Sequence, residues 1–365
     1  MADQRKTKVM VVDDSALMRR MIPLILEKSP EIEVVATAVD GRFALSKAEK
    51  NRPDVITLDM DMPGMDGLTA LKHIVRDFGI PVVVVSSMTT RGAELTMKAF
   101  ELGAMDVIAK PADAISVNIK EIAEELIEKV LAIGRSSVSK LHFDPPAEKL
   151  PEPRPVGCSR AKTADQVVAI GISTGGPNAL SYMLPLLPAD LPSAVLVVQH
   201  MPAGFTEVFA SRLNKACALE VREARDGDLV TPGRVLIAPG DYHMKIKKTA
   251  LSTIVVLSSR PAVNGHRPSA DVLFNSVAAE YGPSSVGVIM TGMGEDGAEG
   301  IGEIKKAGGR TLAQDENTSV VFGMPKAAIR RGYIDRVIPL ERMAEAVAGE
   351  IIWKRGGRQI AANHE

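Results

Sequence analysis

Two periodicities alternate along the chain. Short runs that are almost wholly apolar occur at Val9–Val12, Val34–Ala38, Val55–Leu58, Val82–Val85 and Val107–Ala109. Between them lie stretches with apolar residues three and four apart, at Ala16–Leu26, Phe43–Ala48, Leu68–Val75, Leu95–Leu102 and Ile119–Ile133. The first kind predicts strands buried on both faces, the second amphipathic helices. Strands and helices alternating over residues 6–133 predict a doubly wound parallel sheet, with ligands at the carboxyl ends of the strands. From 134 to 165 the rhythm stops. Five prolines fall between Pro145 and Pro155 among Lys, Arg and Glu, which predicts an extended linker; Cys158 lies in it without an evident partner. The rhythm resumes with strand-like runs at Val167–Ile172, Ala194–Val198, Val235–Ala238, Val286–Met290 and Arg310–Ala313. Helical spacing returns at Phe205–Leu213, up to Lys306, and at Ala344–Trp353, and His243–Ile246 with Thr253–Leu257 reads as a hairpin. Residues 166–353 therefore predict a second α/β domain with a largely parallel sheet, followed by a polar tail at 354–365.

The polar residues at the strand ends carry the chemistry. In the first domain, strand one ends in Asp13-Asp14, strand three in Asp59 followed by Met60-Asp61, strand four in Ser86-Ser87 and strand five in Lys110-Pro111. Aspartates can simply cap the helices that follow, and for any one of them that is a common role. Three carboxylates at one sheet edge, however, repel one another unless a divalent cation or a lysine offsets their charge. Mg²⁺ suits such an all-oxygen site, and Lys110 opposite would complete a phosphoryl-transfer site with one aspartate as nucleophile.

The second domain opens on Gly171-Ile172-Ser173-Thr174-Gly175-Gly176-Pro177, a strand turning sharply into a helix through glycines. Such a turn lifts a small side chain clear of the sheet and aims backbone N–H groups at one spot, as a nucleophilic serine requires. A phosphate-binding turn reads the same way from the loop alone. Two other strand ends supply His200 and Asp296, so Ser173, His200 and Asp296 are candidates for an acyl-transfer triad. Glycines around Met293 point to a backbone N–H for the oxyanion. Residues 171–175 also satisfy the Gly-x-Ser-x-Gly pattern of the α/β-hydrolases, but that family carries its histidine last. Here the order is Ser, His, Asp, and the only later histidine is His364, which excludes an ordinary α/β-hydrolase. His243 and His266 are rivals to His200 set in loop-like surroundings, and Arg267 is a candidate contact for an anionic part of the substrate. Asp271 reads as a helix-start residue. The chain lacks Gly-x-Gly-x-x-Gly and a phosphate-loop lysine, which argues against a nucleotide-dependent enzyme.

Composition narrows the class. A net charge of −1 gives no support to nucleic-acid or membrane-surface binding. The two cysteines have no metal-ligand spacing. Met1–Lys8 is polar, unlike a signal peptide, and no apolar run approaches the ~20 residues of a membrane span. A cytoplasmic protein without direct membrane insertion is expected.

The strand-end pattern over residues 6–133 resembles the receiver domain of two-component signalling, with a flavodoxin-like fold. The resemblance implies that Asp59 accepts a phosphoryl group and that Asp13 and Asp14 hold Mg²⁺ with Asp59 and the main-chain carbonyl of Asp61. It also implies that Lys110 contacts the phosphoryl oxygens, and that Ser86 supplies the hydroxyl that moves towards them. The second domain, through Gly171–Pro177, Gln199–Gly204, Pro239–Met244, His266–Phe274, Thr291–Gly297 and Gln314–Pro325, resembles the chemotaxis protein-glutamate methylesterases, which are also protein-glutamine glutaminases. That resemblance implies catalysis by Ser173, His200 and Asp296, with Met293 N–H in the oxyanion hole; Thr174, next to the serine, is a candidate for shaping the nucleophile loop. It implies hydrolysis of γ-glutamyl methyl esters on the cytoplasmic helices of chemoreceptors and deamidation of some of their glutamines. The implied phosphodonor is the chemotaxis histidine kinase, and the esterase step needs no cofactor. The expected control is a receiver that obstructs the Ser173 cleft until Asp59 is phosphorylated.

Overall fold

The computed structural model describes residues 5–110, 119–136 and 163–362. Most of the predicted linker, with Cys158, and the final three residues of the predicted tail lie outside these. The chain divides into two compact units, Met1–His142 and Phe143–Glu365.

The first unit runs β1 (Thr7–Val12), α1 (Ala16–Leu26), β2 (Ile32–Ala38), α2 (Gly41–Asn51), β3 (Val55–Asp59), α3 (Gly67–His73), β4 (Val82–Ser86), α4 (Thr90–Glu101), β5 (Asp106–Ala109) and α5 (Ile119–Gly134). Its five strands are parallel in the order β2-β1-β3-β4-β5. The direction of strand addition reverses between β1 and β3, so Asp13, Asp14 and Asp59 lie at the switch point where such sheets bind ligands. The helices start where the sequence supplies capping oxygens. Ser15, Asp40, Asp66 and Thr89 each accept a hydrogen bond from a backbone N–H of the first turn of α1, α2, α3 and α4. β3, β4 and β5 are buried at every position, which is why they read as unbroken apolar runs.

The second unit runs β6 (Val167–Ile172), α6 (Gly176–Met183), β7 (Ala194–Gln199), α7 (Phe205–Ala216), β8 (Glu220–Glu223), β9 (Arg234–Ile237), β10 (His243–Lys248), β11 (Thr253–Ser258), α8 (Ala270–Tyr281), β12 (Ser285–Ile289), α9 (Ala298–Lys306), β13 (Arg310–Gln314), α10 (Met324–Arg330), β14 (Arg336–Ile338) and α11 (Leu340–Ala362). Seven strands form one parallel sheet in the order β14-β13-β12-β6-β7-β9-β8, and β10 and β11 pair as an antiparallel hairpin. Here the switch point lies between β6 and β12. Helix α11 extends to Ala362, into the segment read from sequence as a tail.

β8 carries no strand signal in the sequence. Glu220-Val221-Arg222-Glu223 is an edge strand in which only Val221 is buried, and its charged neighbours obscure the pattern. The three helices that follow the reactive loops also lack capping side chains. α6, α7 and α9 begin at Gly175, Gly204 and Gly297, with φ of 78°, 83° and 86°. Left-handed glycines let the chain turn from strand to helix within a few residues.

Helix α8 packs into the main core of this unit through Leu273, Phe274 and Val277, with Ala169 of β6, Ile289 of β12 and Ile301 of α9. The approach to β6 is close: a Cβ at Gly171 would lie 2.7 Å from Ala270 Cβ and 3.0 Å from Phe274 Cζ. This contact sets the start of α8 beside the nucleophile loop. Phe274→Ala should therefore cost the second unit about 3–5 kcal/mol, the usual range for deleting a fully buried aromatic ring. Urea denaturation followed by circular dichroism measures it, and a loss below ~1 kcal/mol would remove Phe274 from this role.

Candidate active site

Ser173 is the first residue beyond β6 and is buried. Its loop is tied on two sides. Ser173 N–H donates to Thr291 O at 2.9 Å, and Ser173 O accepts from Gly176 N at 2.8 Å and from the Gln199 side-chain amide at 3.0 Å. The same Gln199 amide donates to His200 O at 3.0 Å, and His200 N donates to Ile172 O at 3.1 Å. The ends of β6 and β7 are thus laced together, with Ser173 on one and His200 on the other. Gly176 is required by this lacing, because a Cβ there would fall 2.0 Å from Gln199 Oε1.

Asp296 follows β12 and is fully buried. Its Oδ2 accepts from Ala270 N at 2.6 Å and faces His200 Nε2 at 2.8 Å. Its Oδ1 accepts from Ser269 Oγ at 2.6 Å and from Asn264 Nδ2 at 3.1 Å. Burial by itself would raise the pKa of this carboxyl. The His200 hydrogen bond and charge, the Ser269 hydroxyl and the Ala270 N–H outweigh it and hold the group well below the usual carboxylate range. Asp296 also sits at the N-terminus of α8, where the helix favours negative charge. An ionised carboxylate only accepts, so the His200 nitrogen facing it carries hydrogen. In the neutral ring that leaves the lone pair on Nδ1. Nδ1 is buried and has no hydrogen-bond partner among the described residues. Among the described residues no hydrogen bond joins the Ser173 hydroxyl to His200 Nδ1; such bonds are often long without substrate and tighten with it.

The loop after β12 is pinned in a way that settles one peptide. Gly292 O accepts from Gly323 N at 3.0 Å and Met324 N at 2.9 Å, at the start of α10. Carbonyl and N–H point oppositely across a trans peptide, so Met293 N–H is turned away from α10. Among the described residues it donates to nothing. Thr291 is fixed as well: its N–H donates to Gln314 Oε1 at 2.9 Å and its hydroxyl to Thr174 O at 2.9 Å. Thr174 is fully buried, and its own hydroxyl has no partner among the described residues.

The rival histidines resolve differently. His243 is buried at the start of β10 with Nε2 against Pro261 O at 3.0 Å. His266 lies face to face with His200, ring centroids 3.9 Å apart. Arg267 donates to the carbonyls of Ser259 and Arg260 at 3.3 and 3.4 Å. Asp271 stands in the first turn of α8, where its Oδ1 accepts from Gly300 N. Sequence reasoning missed Gln199, Gln314, Asn264 and Ser269 as the polar frame. Of these only Asn264, followed by Gly265, carries a local signal, that of a two-residue hairpin turn.

In the first unit the strand ends meet as well. Asp13, Asp14 and Asp59 place one carboxylate oxygen each within 4.8 Å of one another. Lys110 Nζ lies 2.9 Å from Asp13 Oδ2 and 2.8 Å from Asp59 Oδ2. Burial, with repulsion from Asp13, raises the Asp59 pKa despite Lys110. One lysine for three carboxylates leaves negative charge in excess, and an all-oxygen donor set with that excess fits Mg²⁺. Arg19 donates to the carbonyls of Asp13 and Asp14, fixing the loop. Asp61 N–H donates to Asp59 Oδ1 at 3.3 Å, while the Asp61 side chain pairs with Arg91. Ser86 Oγ donates to Gly92 O at 3.2 Å.

Known proteins share both units. Residues 9–120 match the response regulator receiver domain family, and residues 168–347 match the CheB methylesterase family. A protein-glutamate methylesterase/protein-glutamine glutaminase 2 of Koribacter versatilis is 52% identical over 341 residues, covering 92% of this chain and 94% of that protein. A protein-glutamate methylesterase/protein-glutamine glutaminase of Pyrococcus horikoshii is 45% identical over 365 residues, covering 98% and 96%. The crystal structure of the Thermotoga maritima CheB methylesterase catalytic domain superposes with a TM-score of 0.50 at 42% identity, covering 50% of this chain and 97% of that one. With an amino-terminal receiver domain and the strand-end site just described, the chain belongs to the protein-glutamate methylesterase/protein-glutamine glutaminase family.

Proposed function

We propose that this protein is a phosphorylation-controlled serine hydrolase that demethylates glutamate methyl esters and deamidates glutamines on chemoreceptors, acting in chemotactic adaptation in the cytoplasm. The observation that carries the reading is the buried His200–Asp296 pair at 2.8 Å, with His200 Nδ1 left without a hydrogen bond beside the Ser173 loop. Family membership supports the substrate class.

Ser173 Oγ attacks the side-chain carbonyl of the substrate as its proton passes to His200 Nδ1. Asp296 stabilises the resulting imidazolium through Nε2, and Met293 N–H donates to the oxyanion. Collapse of the tetrahedral intermediate breaks the bond to the leaving group, which departs as methanol or ammonia with the proton from His200. Water, deprotonated by His200, then attacks the acyl-enzyme and releases the glutamate side chain. Thr174 and Arg267 are the further candidate contacts, the one shaping the nucleophile loop and the other meeting an anionic part of the substrate.

In the receiver, Asp59 takes a phosphoryl group from a histidine kinase. Asp13, Asp14, Asp59 and the Asp61 carbonyl would hold Mg²⁺, which when bound offsets phosphoryl charge. Lys110 supplies a fixed cation, and Ser86 exchanges its bond to Gly92 O for the phosphoryl group.

Ser173→Ala in the full-length protein should lower kcat on a methyl-esterified receptor fragment by ~10³-fold or more while the circular dichroism spectrum stays unchanged. Retained turnover would mean that the second unit is a binding module. Asp59→Asn should keep the basal rate and lose the response to a small-molecule phosphodonor; a parental response would dismiss this form of control. The Asp296 carboxyl has a depressed folded-state pKa, so its contribution to stability is complete above the unfolded value near 3.8 and is lost as pH falls below it. Urea midpoints of the parent between pH 6 and 3 should therefore fall more steeply than those of Asp296→Asn, and parallel curves would contradict the ionised assignment.

A further inference from the structure

One tight turn reaches both members of the histidine–aspartate pair. Val263 N donates to His266 O at 3.0 Å and His266 N to Val263 O at 2.9 Å, which closes a two-residue hairpin over Asn264 and Gly265. Both central residues are left-handed, with φ of 53° and 78°, as the mirror-image turns of two-residue hairpins demand. From this turn the Asn264 side-chain amide donates to Asp296 Oδ1 at 3.1 Å and to Asp271 Oδ2 at 2.7 Å. Two residues on, the His266 ring lies on His200 with centroids 3.9 Å apart and planes 14° from parallel.

The need for such a turn follows from how His200 is held. Its ring has one hydrogen-bonded nitrogen, Nε2, and one without a partner, Nδ1. A single hydrogen bond permits the ring to pivot about the line to Asp296, and pivoting moves Nδ1. A flat ring stacked on one face resists that rotation. Asn264 acts at the other end: by donating to Asp296 and Asp271 together it ties the carboxylate that anchors His200 to the first turn of α8. Asp271 is in turn fixed by Gly300 N at 2.6 Å. His266 covers the face through which His200 would tilt.

We propose that the Val263–His266 turn is a clamp on the general base, in which His266 and Asn264 are positioning residues that hold His200 Nδ1 in line with the Ser173 hydroxyl. This rests on the reading of His200 as the base. The clamp acts on the chemical step, because misplacing a reacting group by about an ångström can cost ~10²-fold in rate while substrate binding is little affected.

The test uses the full-length protein and a methyl-esterified receptor fragment, with His266→Ala, His266→Phe and Asn264→Ala beside the parent. His266→Ala should lower kcat ~10- to 100-fold with KM within about twofold, and His266→Phe, which restores a flat ring, should recover most of the loss. Asn264→Ala should also lower kcat with KM unchanged. As a readout independent of turnover, the proton on His200 Nε2, followed by NMR in imidazole-labelled protein, should exchange with water faster in His266→Ala than in the parent or His266→Phe. Parental kcat in His266→Ala overturns the clamp and leaves the hydrolase reading standing. So does equal impairment of the Ala and Phe variants with unchanged Nε2 proton exchange, which would mark a folding role alone. Parental turnover in His200→Ala overturns both.

Discussion

The site depends on one buried negative charge. Asp296 lies in the interior, where an unpaired carboxylate is costly enough to take up a proton instead. It stays ionised because donors from separate parts of the chain converge on it: the Ala270 N–H at the start of α8, the Ser269 hydroxyl, the Asn264 amide and His200. Ionised, it can only accept, and that dictates which nitrogen of His200 carries hydrogen and which holds a lone pair. The close packing of α8 on β6 at Gly171 then has a consequence beyond stability. It brings the helix N-terminus that neutralises Asp296 to the strand that delivers Ser173. Core packing and base orientation are two effects of one contact.

Both units place their chemistry at the reversal of strand order in a parallel sheet, but they leave the sheet differently. In the first unit the helices after the strands start at Ser15, Asp40, Asp66 and Thr89, whose side chains occupy the first free N–H groups. In the second, the helices after Ser173, His200 and Asp296 start at left-handed glycines without a side-chain cap. A capping side chain stabilises a helix start by roughly 1 kcal/mol. Glycine forgoes that gain and in return permits the left-handed turn, and at Gly175 and Gly297 it makes room for Val320 and Ala270. The same reasoning applies to Gly176, where Gln199 occupies the space a side chain would take.

Most of the architecture was legible because a fully buried strand reads as an unbroken apolar run, and the central strands β3, β4, β6, β7 and β12 are of that kind. The edge strands β8 and β14 have one buried residue each, so their pattern falls below recognition. The strand-end residues Ser173, His200, Asp296, Asp13, Asp59 and Lys110 were legible as clusters for a related reason: a polar side chain directly after an apolar run lies at the carboxyl edge of the sheet. The frame around them was not. Gln199 and Gln314 are ordinary polar residues until the fold shows their amides clamping the backbone at Ser173 and Thr291. His266 looked like a loop histidine because the two-residue turn that presents it involves no apolar periodicity, and its stacking partner is distant in sequence.

The two sites also differ in how charge is met, and this separates their chemistry. In the first unit Asp13, Asp14 and Asp59 share one cation, Lys110, so the site carries uncompensated negative charge and Asp59 is pushed towards protonation by burial and by Asp13. Such a site favours whatever brings positive charge, and a divalent cation there makes approach of a phosphoryl dianion feasible. In the second unit one carboxylate is met by several donors within the protein. Nothing further is required to stabilise it, and its remaining influence is directed along the bond to His200. The first arrangement responds to an arriving ion; the second is poised in advance for a proton transfer.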